Sequence, residues 1–300
     1  MFLSNDPKGS VLEDSVSIHD RLRQVNPAVL KEKISEFRKL DFSCMDDARI
    51  NRAILDVLCW NNMFCCCINM RTYPARKEFF RVKQLDGTNI PNKRFSVYED
   101  FWETNPKYLK SYGRLNKPGE PLLYVSPSLY CAVNEVHIKC GEPFVAIKYT
   151  AKSEIKVNLI GGSIDYQRFG IDDEKAIMIH EMYNDFLREE FSRDVGEKTR
   201  YLYRISEAIA KSYFDLPPRV VQDAWAYSSV KDKTEYNVCF RPNIAHELLK
   251  LNGAMICKLN CKNEVQVLRV AVGADEQGKI LFYPVGSPQQ KEAFSEISYQ

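Results

Sequence analysis

Along the chain the spacing of apolar positions changes repeatedly. From Pro27, PAVLKEKISEFRKL places apolar residues three and four apart, and a proline suits a first helical turn, which predicts a helix. MDDARINRAILDVLCWNNM predicts a second, with Asp46 or Asp47 at its N-terminus. After a polar start over residues 1–20, the first seventy or so residues therefore read as helical. Near Lys77 the period shortens to two. EFFRVKQL alternates like a half-buried strand, DGTNIPNK is turn-rich, and SVYEDFWE reads as a short helix. LLYVS predicts a strand, SLYCAVNEVHI a helix, and PFVAIKYTAKSEIKVNLI a strand pair or one long bent strand. Helical spacing returns in DDEKAIMIHEMYNDFLREEFSRD and EKTRYLYRISEAIAKSYF, which stop at Pro217-Pro218. DAWAYSSV and YNVCFRP then read as short strands and NIAHELLKL as a short helix. GAMICKLN, EVQVLRVAVG and KILFYPVG predict closing antiparallel strands, with ADEQGK as the last hairpin turn. The expected architecture is α+β: a strand-rich body with helices outside it and an N-terminal helical layer.

Composition narrows the function more than the fold. The chain has 300 residues, 45% apolar and 27% charged, which is ordinary globular usage and enough for one large domain or two small ones. A formal net charge of +2 argues against a dedicated nucleic-acid binder. No run of apolar residues is long enough for a membrane span, and MFLSNDPKGSVLEDS lacks the basic-then-apolar order of a secretory signal, so a cytoplasmic protein is expected. Ten cysteines include the adjacent Cys65, Cys66 and Cys67, whose side chains cannot all share one face. Cys257 and Cys261 are spaced C-x3-C without a second pair. These read as buried reduced thiols; a metal site would lack ligands, with only four histidines scattered along the chain.

Several residues could carry chemistry. Arg81 sits between Phe80 and Val82 in a strand, where it must either reach water at an edge or find an anion. Arg114 follows Gly113 in YGRLNKPGE, where the glycine could admit a ligand to the backbone and the guanidinium fork fits phosphate; a solvated loop arginine is the alternative. Tyr124 alternates with Leu123 and Val125 and either stacks on a ring or joins the core. Glu135 follows Cys131 and Ala132 on an apolar helix, where a carboxylate is paired or functional. YSSV holds Ser228 and Ser229 without a nucleophile elbow, and Asn237 lies in the next strand. His180 and Glu181 lack the second histidine of a zinc protease and read as an exposed helix face. No phosphate-binding glycine motif is present.

In order, these pieces form a pattern: a strand arginine, GRLNKPGEPLLYVSPSLYCAVNE, then AYSSVKDKTEYNVCF. The pattern resembles the RES family, named for an arginine, a glutamate and a serine and found as bacterial toxins paired with a DNA-binding antitoxin. The resemblance covers about Glu78 to Leu251. It implies a mixed or antiparallel sheet core like that of ADP-ribosyltransferases; the N-terminal helical region, residues 1–75, lies outside the match. Residues 76–300 would then be a RES-like catalytic domain with a helical insertion around 170–215. It also implies an NADase: hydrolysis or phosphorolysis of NAD+ at the nicotinamide–ribose bond, by a toxin or defence effector. Transfer of ADP-ribose to a macromolecule, or an inactive nucleotide-binding module, are the alternatives. Matched residue by residue, Arg81, Glu135 and Ser229 take catalytic positions, while Arg114, Tyr124, Asn116, Tyr227 and Asn237 take substrate-binding ones. Leu115 stands where the family has an aromatic, Tyr112 where it has a glycine, and Ser228 where it has a proline. No metal or cofactor is implied beyond NAD+ as substrate and phosphate as an optional co-substrate. The implied partners are an antitoxin or regulatory protein and a second copy of the chain; nucleic acid and membrane are not expected.

Overall fold

Residues 18–89, 92–167, 172–215, 221–229 and 235–297 are described in this computed structural model. Pro217-Pro218 and most of the polar start lie outside them. The protein is α+β, and its chain alternates between two units. The first takes Met1–Arg71, Lys110–Gly119 and Lys156–Ser228; the second takes Thr72–Leu109, Glu120–Ile155 and Ser229–Gln300.

In the first unit, with elements numbered along the chain, α1 (Ile18–Gln24), α2 (Pro27–Lys39) and α3 (Asp47–Leu58) form as their periodicity predicts. Asn26 caps α2 by accepting from the amides of Ala28 and Val29, Pro27 opens its first turn, and Leu30, Ile34 and Phe37 are its buried stripe. Asp46, not Asp47, caps α3 through the Arg49 amide. The helical reading of the first seventy residues misses a hairpin of β1 (Cys59–Trp60) and β2 (Met63–Phe64) and the start of β3 (Met70–Tyr73). α5 (Glu174–Ser192), capped by Asp173, and α6 (Tyr203–Ser212) occupy the predicted helical stretch, and Phe186 of α5 packs edge-on against Phe37 at 5.1 Å. The N-terminal helices thus share a core with helices some 150 residues later. β7 (Ile155–Ile160) pairs in parallel with β8 (Ala224–Ser228), and every residue of β8 is buried.

The second unit is built on a five-stranded antiparallel sheet. β4 (Glu78–Gln84) lies at one edge, followed by β6 (Pro143–Ala151), β10 (Leu249–Leu259), β11 (Val265–Ala274) and β12 (Ile280–Pro284). β6 and β7, which the sequence allowed as a pair or one bent strand, are separate strands with different neighbours. β5 (Leu123–Val125) pairs with β9 (Tyr236–Phe240), and Phe80 of β4 exchanges backbone bonds of 2.7 and 2.8 Å with Ser126 just beyond β5. α4 (Leu129–Glu135), α7 (Pro242–Leu248) and α8 (Pro288–Ala293) complete it; α8 carried no periodic signal.

Cysteine usage departs from the expectation of reduced thiols at one place. Cys140 and Cys261 form a disulfide across 121 residues of chain, so Cys261 is no partner of Cys257, which is buried and free. Cys65, Cys66 and Cys67 are all buried free thiols, as expected. Among the described residues, no helix is long and apolar enough to cross a membrane.

Candidate functional site

Strand alternation organises the second unit. On one face of β4, Phe80 and Val82 join Phe144 and Ala146 of β6 in an apolar cluster that also takes Ala132 and Val133 of α4. Ser128 caps α4 through the Cys131 amide, and the helix ends beyond Glu135, with His137 in the left-handed region at φ 58°. The apolar cluster thereby fixes the helix that presents Glu135, a half-buried residue. The Ser229 hydroxyl donates to the Glu135 carboxylate across 94 residues of sequence, and the Ser229 amide donates to the Glu235 carbonyl at 2.9 Å. Ser229 is fully buried. Cys131, one helical turn before Glu135, lies against the same group. Burial pushes its thiol up, contacts with the Ser126 and Ser229 hydroxyls oppose this, and Glu135 and Glu235 add to the rise. The cysteine therefore stays a neutral thiol beside the Ser229–Glu135 pair.

Arg81 lies on the other face of β4. Its Nη2 donates to the Thr104 hydroxyl at 3.1 Å, and its Nη1 is buried without a hydrogen-bond partner among the described residues. Part of the residue is accessible, but the guanidinium head is enclosed: burial lowers its pKa, while Tyr149, Glu103 and Asp100 favour the charge. The structure does not bring Arg81 to Glu135; the two flank opposite faces of one strand. This departs from the expectation that both act on one ligand, and its cause is the two-residue strand period, which sends Arg81 away from the α4 side. Lys83 shares the face of Arg81 and donates to the Asp100 carbonyl at 2.6 Å. Tyr149 fills the same side, its hydroxyl donating to the Phe101 carbonyl. Next to them Trp102 stacks on the His246 ring at 4.1 Å, and His246 reaches Glu103 at 3.1 Å.

The remaining candidates divide between the units. Tyr124 of β5 is half-buried, pointing opposite to the buried Leu123 and Val125 as its alternation predicts. Asn237 is buried in β9. In the first unit, the Gly113 amide donates to the Asn116 carbonyl at 2.9 Å, and a Cβ on Gly113 would collide with the Asn116 side chain. That glycine serves the packing of its own loop. Asn116 is buried, donating to the Lys117 carbonyl at 3.2 Å, and Leu115 is fully buried, which explains an aliphatic residue there. Arg114 and Tyr227 do meet: the guanidinium lies 5.8 Å from the Tyr227 ring and 5.2 Å from Tyr203. Its Nη2 donates to the Arg193 carbonyl at 3.1 Å, and Nη1 is buried with no partner among the described residues. Of the adjacent serines, only Ser229 reaches Glu135; the Ser228 hydroxyl is buried without a partner among the described residues.

One polar cluster was missed altogether. His180, expected on an exposed helix face, is 2% accessible. It meets the Tyr166 hydroxyl at 2.7 Å, which donates to Glu181 at 2.5 Å, beside a small depression lined mainly by apolar side chains. Burial holds its pKa down at about 4, with His19 adding to the shift, so the ring is neutral. The signal was present in IMIHEMYND: His180 and Tyr183 are three apart on the stripe that starts at Ala176. No family model, curated protein or solved structure matches this chain.

Proposed function

We propose that this protein is an NAD+-degrading enzyme that cleaves the nicotinamide–ribose bond, within an ADP-ribosyltransferase-like arrangement. The observation that supports the reading is the hydrogen bond from Ser229 to Glu135, which joins two residues of the family pattern across 94 positions. Breaking that bond builds positive charge on the ribose as neutral nicotinamide departs. A carboxylate beside the sugar stabilises the cation and accepts from its hydroxyls. Ser229 holds the carboxylate in place from one side. Cys131 keeps the surroundings uncharged at the helix side. Water or phosphate then takes the ribose carbon. Arg81 is left out of the chemistry, because its guanidinium is engaged by Thr104 on the opposite face of β4. A toxin or defence effector held by an antitoxin is the biological role proposed with this activity.

Chromatography of NAD+ incubated with the purified protein, with and without phosphate, tests the reading. Release of nicotinamide is expected, with ADP-ribose as co-product in water and its 1-phosphate when phosphate is the acceptor. Absence of nicotinamide alongside calorimetric binding of NAD+ would make the chain a nucleotide-binding module instead. Label fixed on a macromolecule would make it a transferase.

A further inference from the structure

The lysine beside Arg81 has no role in that reaction and is unusual in its surroundings. Two lysines of this sheet are enclosed, and they are handled oppositely. Lys148 is 5% accessible and lies between Glu78 at 2.7 Å and Glu296 at 2.6 Å. Burial pulls its pKa down, but the bonds from Glu296 and Glu78 outweigh that and leave it raised, a fixed cation. Lys83 is half-buried, with no carboxylate within ion-pair distance among the described residues. Its amine donates to one backbone carbonyl, Asp100 O at 2.6 Å. Two residues along the same strand face stands the Arg81 guanidinium. An amine in a desolvated place next to a fixed cation is the standard environment of a nucleophilic lysine.

We propose that Lys83 is a nucleophilic amine that forms a Schiff base with small anionic carbonyl compounds, short α-keto acids and glyoxylate being the class. Donating one N–H to Asp100 O leaves a neutral amine its lone pair and one further hydrogen. The lone pair attacks the carbonyl carbon, forming the C–N bond as the C=O π pair moves to oxygen. The nitrogen gives both its protons to that oxygen, releasing the bond to Asp100 O; the oxygen departs as water and leaves a C=N bond, with no change of oxidation state. The Arg81 Nη1, buried without an acceptor among the described residues, supplies the attraction for the carboxylate of the incoming compound. The groups facing Lys83 are Arg81 on its own strand and Asp100 on the covering segment, and Arg81 in turn feels Tyr149 and Glu103. Burial first, then Arg81, bring the lysine pKa down to about 7, with Asp100 opposing.

The first test needs no variant. The intact protein is incubated with glyoxylate and cyanoborohydride, which reduces and traps the imine, and modified lysines are mapped by peptide mass. At pH 7, labelling of Lys83 about ten-fold faster than that of exposed lysines such as Lys31 and Lys250 is expected, since an ordinary lysine is almost wholly protonated there. The Lys83 rate should level off above pH 7 while the exposed ones keep rising to pH 9. Equal or slower labelling, or a parallel rise, overturns the proposal. Acetaldehyde in place of glyoxylate separates the anion preference from reactivity. The glyoxylate-to-acetaldehyde ratio at Lys83 should exceed that at Lys31 and fall to it in Arg81→Met; an unchanged ratio removes Arg81 as the recognition group.

Discussion

The two faces of strand β4 receive the same backbone and opposite chemistry. Phe80 and Val82 enter an apolar cluster that carries α4, and α4 carries Glu135. Arg81 and Lys83 enter a polar layer made with Thr104 and the Asp100 carbonyl. The apolar face positions a carboxylate at a distance, through packing; the cationic face encloses charges whose cost is only partly offset by hydrogen bonds. A strand can therefore contribute no side chain to the Glu135–Ser229 pair and still determine where that pair lies.

The widest separation between the faces should come from the apolar one. Phe144→Ala, under α4, should destabilise the fold by about 3–5 kcal/mol in urea denaturation. Nicotinamide release should fall with it only as far as the folded population falls. Next in size, Glu135→Gln should lower nicotinamide release about 100-fold or more with an unchanged melting temperature, the loss typical of one electrostatic contact to a transition state. Retained turnover in that variant would move the chemistry elsewhere.

The cationic face should show itself in the pH dependence of stability. Lys83 holds a pKa of about 7 in the fold against an ordinary lysine value when unfolded. Between about pH 7 and pH 10 the unfolded chain binds the extra proton, so stability should rise with pH there, by up to about 1.4 kcal/mol per unit. Lys83→Met should abolish that rise; an unchanged slope would show that the amine is paired in solution. The smallest effect is expected from Arg81→Met. Replacing an incompletely satisfied buried cation by an apolar side chain should change stability by about 1 kcal/mol or less. It should leave nicotinamide release intact and shift the Lys83 rise to higher pH. Loss of turnover in a folded Arg81→Met protein would put both faces in one site.

Much of this was legible from residue order. The alternation of EFFRVKQL marked β4, the stripe of PAVLKEKISEFRKL marked α2, and the carboxylate on an apolar helix marked Glu135 as paired or functional. The same alternation already separated Arg81 from Phe80 and Val82; which neighbours each face would meet was not written in it. His180 faces inward because it lies on the buried stripe of Ala176, Ile179 and Tyr183, a signal stronger than the His-Glu pair.

By itself, then, the sequence determined most of the helices and strands and many inward positions, because periodicity acts over a few residues. Only the tertiary structure decided which serine reaches Glu135, which face of β4 holds the cations, and that Cys140 meets Cys261 rather than Cys257 pairing with it. Those outcomes depend on contacts between segments 23 to 121 residues apart. No local spacing encodes them, since strand pairing and helix docking are selected by how well whole apolar surfaces fill one another.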